Sequence, residues 1–76
     1  MDEKHALDAR GLHCPLPVLR TRAALEKMAA GEELTIYVTD PASVIDFPHL
    51  CNTSGHILVD RREENGEFIY RIRRRP

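Results

Sequence analysis

Apolar residues recur along this chain with two different spacings. Over residues 15–30, PLPVLRTRAALEKMAA, Val18, Thr21, Leu25, Met28 and Ala29 fall on one stripe at helical intervals, with Arg20 and Lys27 opposite. Gly31 stands where a helix C-terminus takes a left-handed residue. Leu16 and Leu19 fall off the stripe. Over ELTIYVT, Glu33 to Thr39, the period drops to two: Leu34, Ile36 and Val38 point one way, Thr35, Tyr37 and Thr39 the other. That pattern predicts a strand, ended by Asp40-Pro41. A shorter strand is expected over His5 to Ala9, with Leu7 its one large apolar residue, and Gly11 and Leu12 then turn the chain. Ser43 to Thr53 reads as a second helix with a break. Asp46 caps a new segment that carries Pro48 in its first turn, where a missing N–H costs nothing, and Gly55 stops it. Finally, GHILVDRREENGEFIYRIRRR places two strands around Asn65-Gly66, the strongest short hairpin signal. On the second of these, Phe68, Tyr70 and Ile72 share a face.

The predicted order is therefore β-α-β-α-β-β. Such an order makes an α+β fold, a two-layer α/β sandwich in which a four-stranded mixed sheet carries two helices on one face. The other sheet face, with Tyr37, Ile69 and Arg71, is only half apolar and is expected to meet solvent. At 76 residues the chain is expected to form one domain, residues 1–76. A chain of this size buries only about 60% of its unfolded surface. Its core is small, and function should sit on the surface around one or two groups rather than around an enclosed cofactor; none is expected.

Composition narrows the classes. Apolar residues make 42% and charged residues 30%, ordinary for a globular protein, and the formal net charge of −1 gives no global field to recruit nucleic acid. No apolar run approaches the roughly 18 residues of a membrane span. The N-terminus, MDEKHALDAR, is acidic and mixed, unlike a signal peptide. Two cysteines without a secretory signal point to a reducing cytoplasm.

The chemistry concentrates in HCPLP, His13 to Pro17. Cys14 is expected at the N-cap and Pro15 at the first helical position, where proline is tolerated because its absent N–H would be unpaired anyway. Pro17 still lies in the first turn. This placement sets the thiol beside the positive end of the helix dipole, which favours thiolate and lowers the pKa. Arg10 and His13 add positive charge nearby. In a Cys-x-x-Cys pair the resolving thiol would stand at position 17; here that position is Pro17. A thiolate that takes a sulfur atom and meets no second thiol keeps it, as a mixed disulfide or a persulfide held by the helix N–H groups. The competing reading is a small, inert capping or buried cysteine. Residue types alone leave both open, and the two prolines, which build a fixed turn around an otherwise dispensable side chain, favour the reactive one.

LDARGLHCPLPVL resembles the Leu-Asp-x-x-Gly-Leu-x-Cys-Pro-x-Pro signature of the TusA/SirA-like sulfur-carrier family. DPASVIDFPHLCNTSGHILV is similar to the family's Asp-Pro-Ala-x-x-x-Asp-Ile-Pro-x-Phe-Cys segment, and FIYRIRR to its last strand. The likeness runs over roughly residues 6–74 with all elements in family order. It implies a sandwich similar to the C-terminal domain of translation initiation factor three. It also implies a sulfurtransferase of the carrier type, in which Cys14 accepts sulfane sulfur as a persulfide from a cysteine desulfurase. The sulfur then passes to a downstream relay protein, toward 2-thiouridine in transfer RNA or, in relatives from sulfur-oxidising bacteria, in dissimilatory pathways. Leu16 fills the family's variable place between the prolines, where its TusA members have an acid, and Arg10 stands where they have an apolar residue, so the partner is less fixed than the chemistry.

Around Cys14, Pro15 and Pro17 are expected to shape the turn with Gly11. Asp8 is expected to organise the loop through backbone N–H groups, and Arg10 to stabilise the anion. Leu16 and Leu19, off the stripe, with His13 beside the thiol, are the candidate partner-binding residues. Cys51, between Leu50 and Asn52 in a helix, reads as core packing; a Cys14–Cys51 redox switch is the alternative. His5, His13, His49 and His56 lack metal-ligand spacing, so no metal is expected. Alternating charge on the arginine strand, Arg71 to Arg75, guards an edge against aggregation. A rival function from another class is a regulatory or RNA-binding module built on those arginines. Aromatic residues make only 5%, which supplies a base-stacking platform poorly, so direct nucleic-acid binding is not expected.

Overall fold

In the computed structural model, which describes residues 5–76, the four strands form one mixed sheet. The elements are β1 (Ala6–Ala9), α1 (Leu16–Glu26), β2 (Glu33–Val38), α2 (Ser43–Ser54), β3 (Ile57–Glu64) and β4 (Glu67–Arg73). Spatial order is β1-β2-β4-β3; β1 runs parallel to β2, and the other pairings are antiparallel. The order β-α-β-α-β-β and the two-helix, two-layer architecture are as the alternation of periods predicts.

The core follows from the period-two pattern. Leu34, Ile36 and Val38 stand directly opposite Ile72, Tyr70 and Phe68, so one face of the central strand pair is apolar throughout. The helices cover that face. From α1, Pro17, Thr21 and Leu25 are buried, and from α2, Ser43, Phe47, Leu50 and Cys51. The Phe47 ring stacks on Tyr70, centroids 4.6 Å apart and planes 9° from parallel. The Tyr70 hydroxyl meets the Ser43 hydroxyl at 2.8 Å inside the core. In the hairpin, Asn65 and Gly66 both take positive φ, 51° and 80°, as a primed two-residue turn requires.

Three boundaries differ from expectation. First, α1 ends at Glu26 rather than running to residue 30. Lys27 and Met28 donate to Ala24 and Leu25 in a tightened last turn. Gly31 is then no helix cap: its N–H reaches Arg74 O at 3.0 Å, and Arg74 N–H returns to Glu32 O at 2.8 Å. Closure of the sheet end outweighs the helix propensity of Ala29 and Ala30. Second, the stripe is shifted; Pro17 is buried and Ala29 exposed. Third, α2 is unbroken from Ser43, with Pro48 inside it. Pro48 removes one bond to the Val44 carbonyl, and burial of Phe47, Leu50 and Cys51 on the sheet holds the helix through that loss. Asp46 therefore caps nothing and is free for another use.

The arginine strand, β4, is not the edge that was expected: it pairs with β2 on one side and β3 on the other, so its charges guard no edge, and its arginines are internally engaged. Arg71 and Arg73 bracket Glu33, at 3.2 and 2.9 Å. Arg74 donates to Leu25 O, and Arg75 donates through its N–H to His56 Nδ1 and through its guanidinium to Ser54 O. Each of these four arginines holds the fold's own groups.

Candidate functional site

The loop after β1 carries the thiol. Ala9, fully buried, anchors the strand end. Asp8 accepts the Arg10 backbone N–H at 3.1 Å and grips the Arg10 guanidinium at 2.8 and 3.1 Å. Gly11 takes φ +82°, and its N–H donates to Thr39 Oγ1 at 3.0 Å. The Cys14 N–H donates to Asp40 Oδ2 at 2.7 Å, while Asp40 Oδ1 receives the Ala42 N–H at 3.1 Å. One carboxylate thus ties the thiol's backbone to the start of α2. These bonds, with neighbouring His13, hold the Asp40 carboxyl below the usual carboxylate range. The Cys14–Pro15 peptide is cis.

Cys14 is exposed and free, but it is not the N-cap: Pro15 is. The prolines also do more than tolerate missing N–H groups. Neither has a donor, the Leu16 N–H goes to His13 O at 2.9 Å, and Asp40 takes the Cys14 N–H. Among Cys14 to Val18, only the Val18 N–H is left for an anion. The helix end that was expected to stabilise a thiolate is stripped of most of its donors.

The electrostatics are reversed accordingly. Cys14 and Asp46 both line a cavity of about 150 Å³ between α1 and α2, together with Pro15, Val18, Arg22, His49 and Leu50. A hydrogen bond to the Asp46 carboxylate, then desolvation, then the charges of Asp46 and Asp40, push the Cys14 thiol upward, not down. Nor does Arg10 supply the expected compensation. Its guanidinium is committed to Asp8 and, at 3.4 Å, to Glu67, and lies 5.8 Å from the centre of the Tyr37 ring. The thiol therefore sits among carboxylates rather than at a donor-rich helix end, and both of them push its pKa up.

The remaining candidates divide by position. His13 is exposed beside Asp40. Leu16 and Leu19, 43% and 53% exposed, line a larger groove of about 610 Å³ between α1 and β1, with Leu7, Met28 and Leu34 on its apolar wall. Cys51 belongs to the core, where burial pushes its thiol up. Among the described residues no group of His, Cys, Asp and Glu is placed to hold a metal ion. Asp40 and Asp46 are the site residues that sequence reasoning missed, read there as a turn former and a cap. Beginning the second helix at Ser43 without a break would have put Asp46 and His49 on one face, turned toward the first helix.

Comparison with known proteins settles the family. A family model described as "Sulfurtransferase TusA" matches residues 5–74. The chain belongs to the TusA sulfurtransferase family. It is 41% identical over 73 residues to the sulfur carrier protein TusA of Allochromatium vinosum, covering 96% of both chains. It is 42% identical over 69 residues to that of Pseudomonas putida, covering 91% of this chain and 86% of the other. Its fold superimposes on the crystal structure of a SirA-like protein from Desulfitobacterium hafniense, with TM-score 0.81 and 26% identity over 93% of this chain and 97% of that one. Membership in the TusA family makes sulfur carriage and transfer its activity, and places the chemistry among donors and acceptors of sulfur.

Proposed function

We propose that residues 1–76 act as one cytoplasmic carrier domain in which Cys14 bears the sulfur as a persulfide. The donor is a cysteine desulfurase, and the sulfur moves on to a downstream relay protein, toward 2-thiouridine in transfer RNA. The observation that carries this reading is the placement of the two thiols. Cys14 stands exposed at the tip of a braced loop, while Cys51 is 8% exposed and packed in the core. A sulfur atom taken up by Cys14 meets no resolving thiol in the motif, where Pro17 occupies the place.

The steps follow from thiol chemistry. The Cys14 thiolate attacks the outer sulfur of the donor persulfide R–S–SH. The S–S bond to R breaks, R–S⁻ leaves and takes a proton, and Cys14–S–SH results. An acceptor thiolate then repeats the attack on Cys14–S–SH, and Cys14 departs as thiolate and is reprotonated. Sulfane sulfur moves and no external oxidant is consumed. Asp8, Gly11, Pro15 and Pro17 shape the loop; Leu16, Leu19 and His13 are the surface that meets the partner.

The test is intact mass under non-reducing conditions after incubation with a cysteine desulfurase and cysteine. Wild type gains one sulfur, about 32 Da, which reduction removes; Cys14→Ser gains nothing, and Cys51→Ala gains as wild type does. An adduct that persists in Cys14→Ser, or none in wild type, refutes the assignment.

A further inference from the structure

Asp46 lines the same cavity as Cys14, and the carrier reading assigns it no role. It comes from a different element, the unbroken α2, which brings it to the wall of that cavity. The cavity, at about 150 Å³, is several times the roughly 30 Å³ share of a water molecule. That leaves room for one additional sulfur atom on Cys14 in a space that Asp46 also lines. We propose that Asp46 is a positioning residue that keeps the reactive sulfur protonated in both states of the carrier, as thiol when empty and as perthiol when loaded.

This proposal rests on the reading that Cys14 is the loaded residue, and it gives Asp46 two opposite effects. In the empty state, the carboxylate accepts the thiol hydrogen bond and disfavours thiolate. In the loaded state it accepts the S–H of Cys14–S–SH. Persulfides ionise more readily than thiols, and the ionised form has an anionic outer sulfur that repels an incoming thiolate. Held protonated, the outer sulfur stays electrophilic. Discharge then forms the bond from acceptor sulfur to outer sulfur, breaks the bond to Cys14, and returns Cys14 to the thiol that Asp46 binds. The other charged and titratable groups around the sulfur are Asp40, bonded to the Cys14 N–H, His13 on the same loop, Arg22 from α1 and His49 from α2. Of these, Asp40 is already committed to two backbone N–H groups, which leaves Asp46 as the carboxylate free to follow the sulfur's proton.

The test is Asp46→Asn, checked by far-UV circular dichroism, in two assays. The first is the pH profile of Cys14 alkylation in the empty protein. The second is the rate at which Cys14–S–SH, loaded with inorganic polysulfide, passes its sulfur to a small thiol at neutral pH. Polysulfide loading keeps the result independent of the natural donor. Alkylation at neutral pH should become severalfold faster, with its profile moved to lower pH, while discharge becomes severalfold slower; Asp46→Glu should restore both. If Asp46→Asn does not fold, Asp46→Ala, which suits a helix interior, takes its place. An unchanged alkylation profile, or discharge that stays equal or becomes faster, overturns the proposal.

Discussion

The tie between Ser43 and Tyr70 sets where the site's second helix begins, and its worth can be worked from the structure. The two hydroxyls are 2.8 Å apart, and their residues are 2% and 1% exposed. Neither has water to turn to. Tyr70→Phe therefore leaves the Ser43 hydroxyl buried without its partner, and Ser43→Ala does the same to the Tyr70 hydroxyl. Each single change should cost about 1–3 kcal/mol, the penalty for an unsatisfied buried polar group. For a domain of this size, that is a fall in Tm of about 4–8 °C per kcal/mol. The double variant removes donor and acceptor together and should lie well above the sum of the singles, since replacing both partners by apolar groups is nearly neutral. The expected coupling is at least about 1 kcal/mol. Urea unfolding of the four proteins, with m-values compared to confirm a common mechanism, closes the cycle. Additive singles, with coupling within about 0.3–0.5 kcal/mol of zero, would refute the claim that this bond is made at the expense of water in the core.

Two further outcomes follow from the surface. Arg10→Ala should leave the Cys14 alkylation profile where it is, because the guanidinium serves Asp8 and Glu67 instead. In the same variant the Asp8 carboxyl, held at about 2 by Arg10, should return toward its ordinary 3.8 in an NMR titration; the sign is that of a depressed acid, whose contribution is full above the ordinary value and fades as pH falls toward 2. Leu19→Asp places a charge on a side chain already 53% exposed. It should leave Tm and thiol alkylation near wild type while slowing protein-to-protein sulfur transfer; equal transfer rates would remove the α1–β1 groove from the docking surface.

Most of the fold was legible because β2 and the β3–β4 hairpin carry local signals that tertiary structure does not contradict. Period two over Leu34, Ile36 and Val38 and the Asn65-Gly66 turn each need only their own neighbours. The misread places are those where distant groups decide. Ala29 and Ala30 favour helix, yet the chain there must reach Arg74 and close the sheet. Pro48 signals a restart, but Phe47 and Leu50 are buried against the sheet, and one lost backbone bond does not undo that. At the site, the prolines and the resemblance single out Cys14 as the candidate, and its exposure fits that reading, whereas its electrostatics were not legible. The unpaired N–H groups that make proline harmless in a first turn are the same groups a thiolate would have used, and removing them withdraws the stabilisation. Asp46 lies far along the chain and reaches the cavity that Cys14 lines only through the packing of α2 on α1.

A carboxylate beside a departing thiolate also has an effect of the opposite sign. A leaving thiol of higher pKa leaves more slowly, so Asp46 hinders the final bond cleavage even as it protonates the outer sulfur. The two dependences differ in steepness. The protonated fraction of a mostly ionised persulfide changes tenfold for each unit of its pKa. Rates of thiol exchange follow thiol basicity with a fractional slope, about 0.4–0.5 for the attacking partner, and a leaving-group slope of the same order is shallower than one. A single charge that acts on both sulfurs therefore favours discharge, provided that it acts on the outer sulfur at least as strongly as on the inner. In the proposed loaded state the shared cavity supplies that condition, because a sulfur added to Cys14 would enter a space that Asp46 also lines. If the inner sulfur instead felt the larger effect, Asp46→Asn would discharge faster than wild type, so the direction of that one rate change decides which sulfur the carboxylate controls.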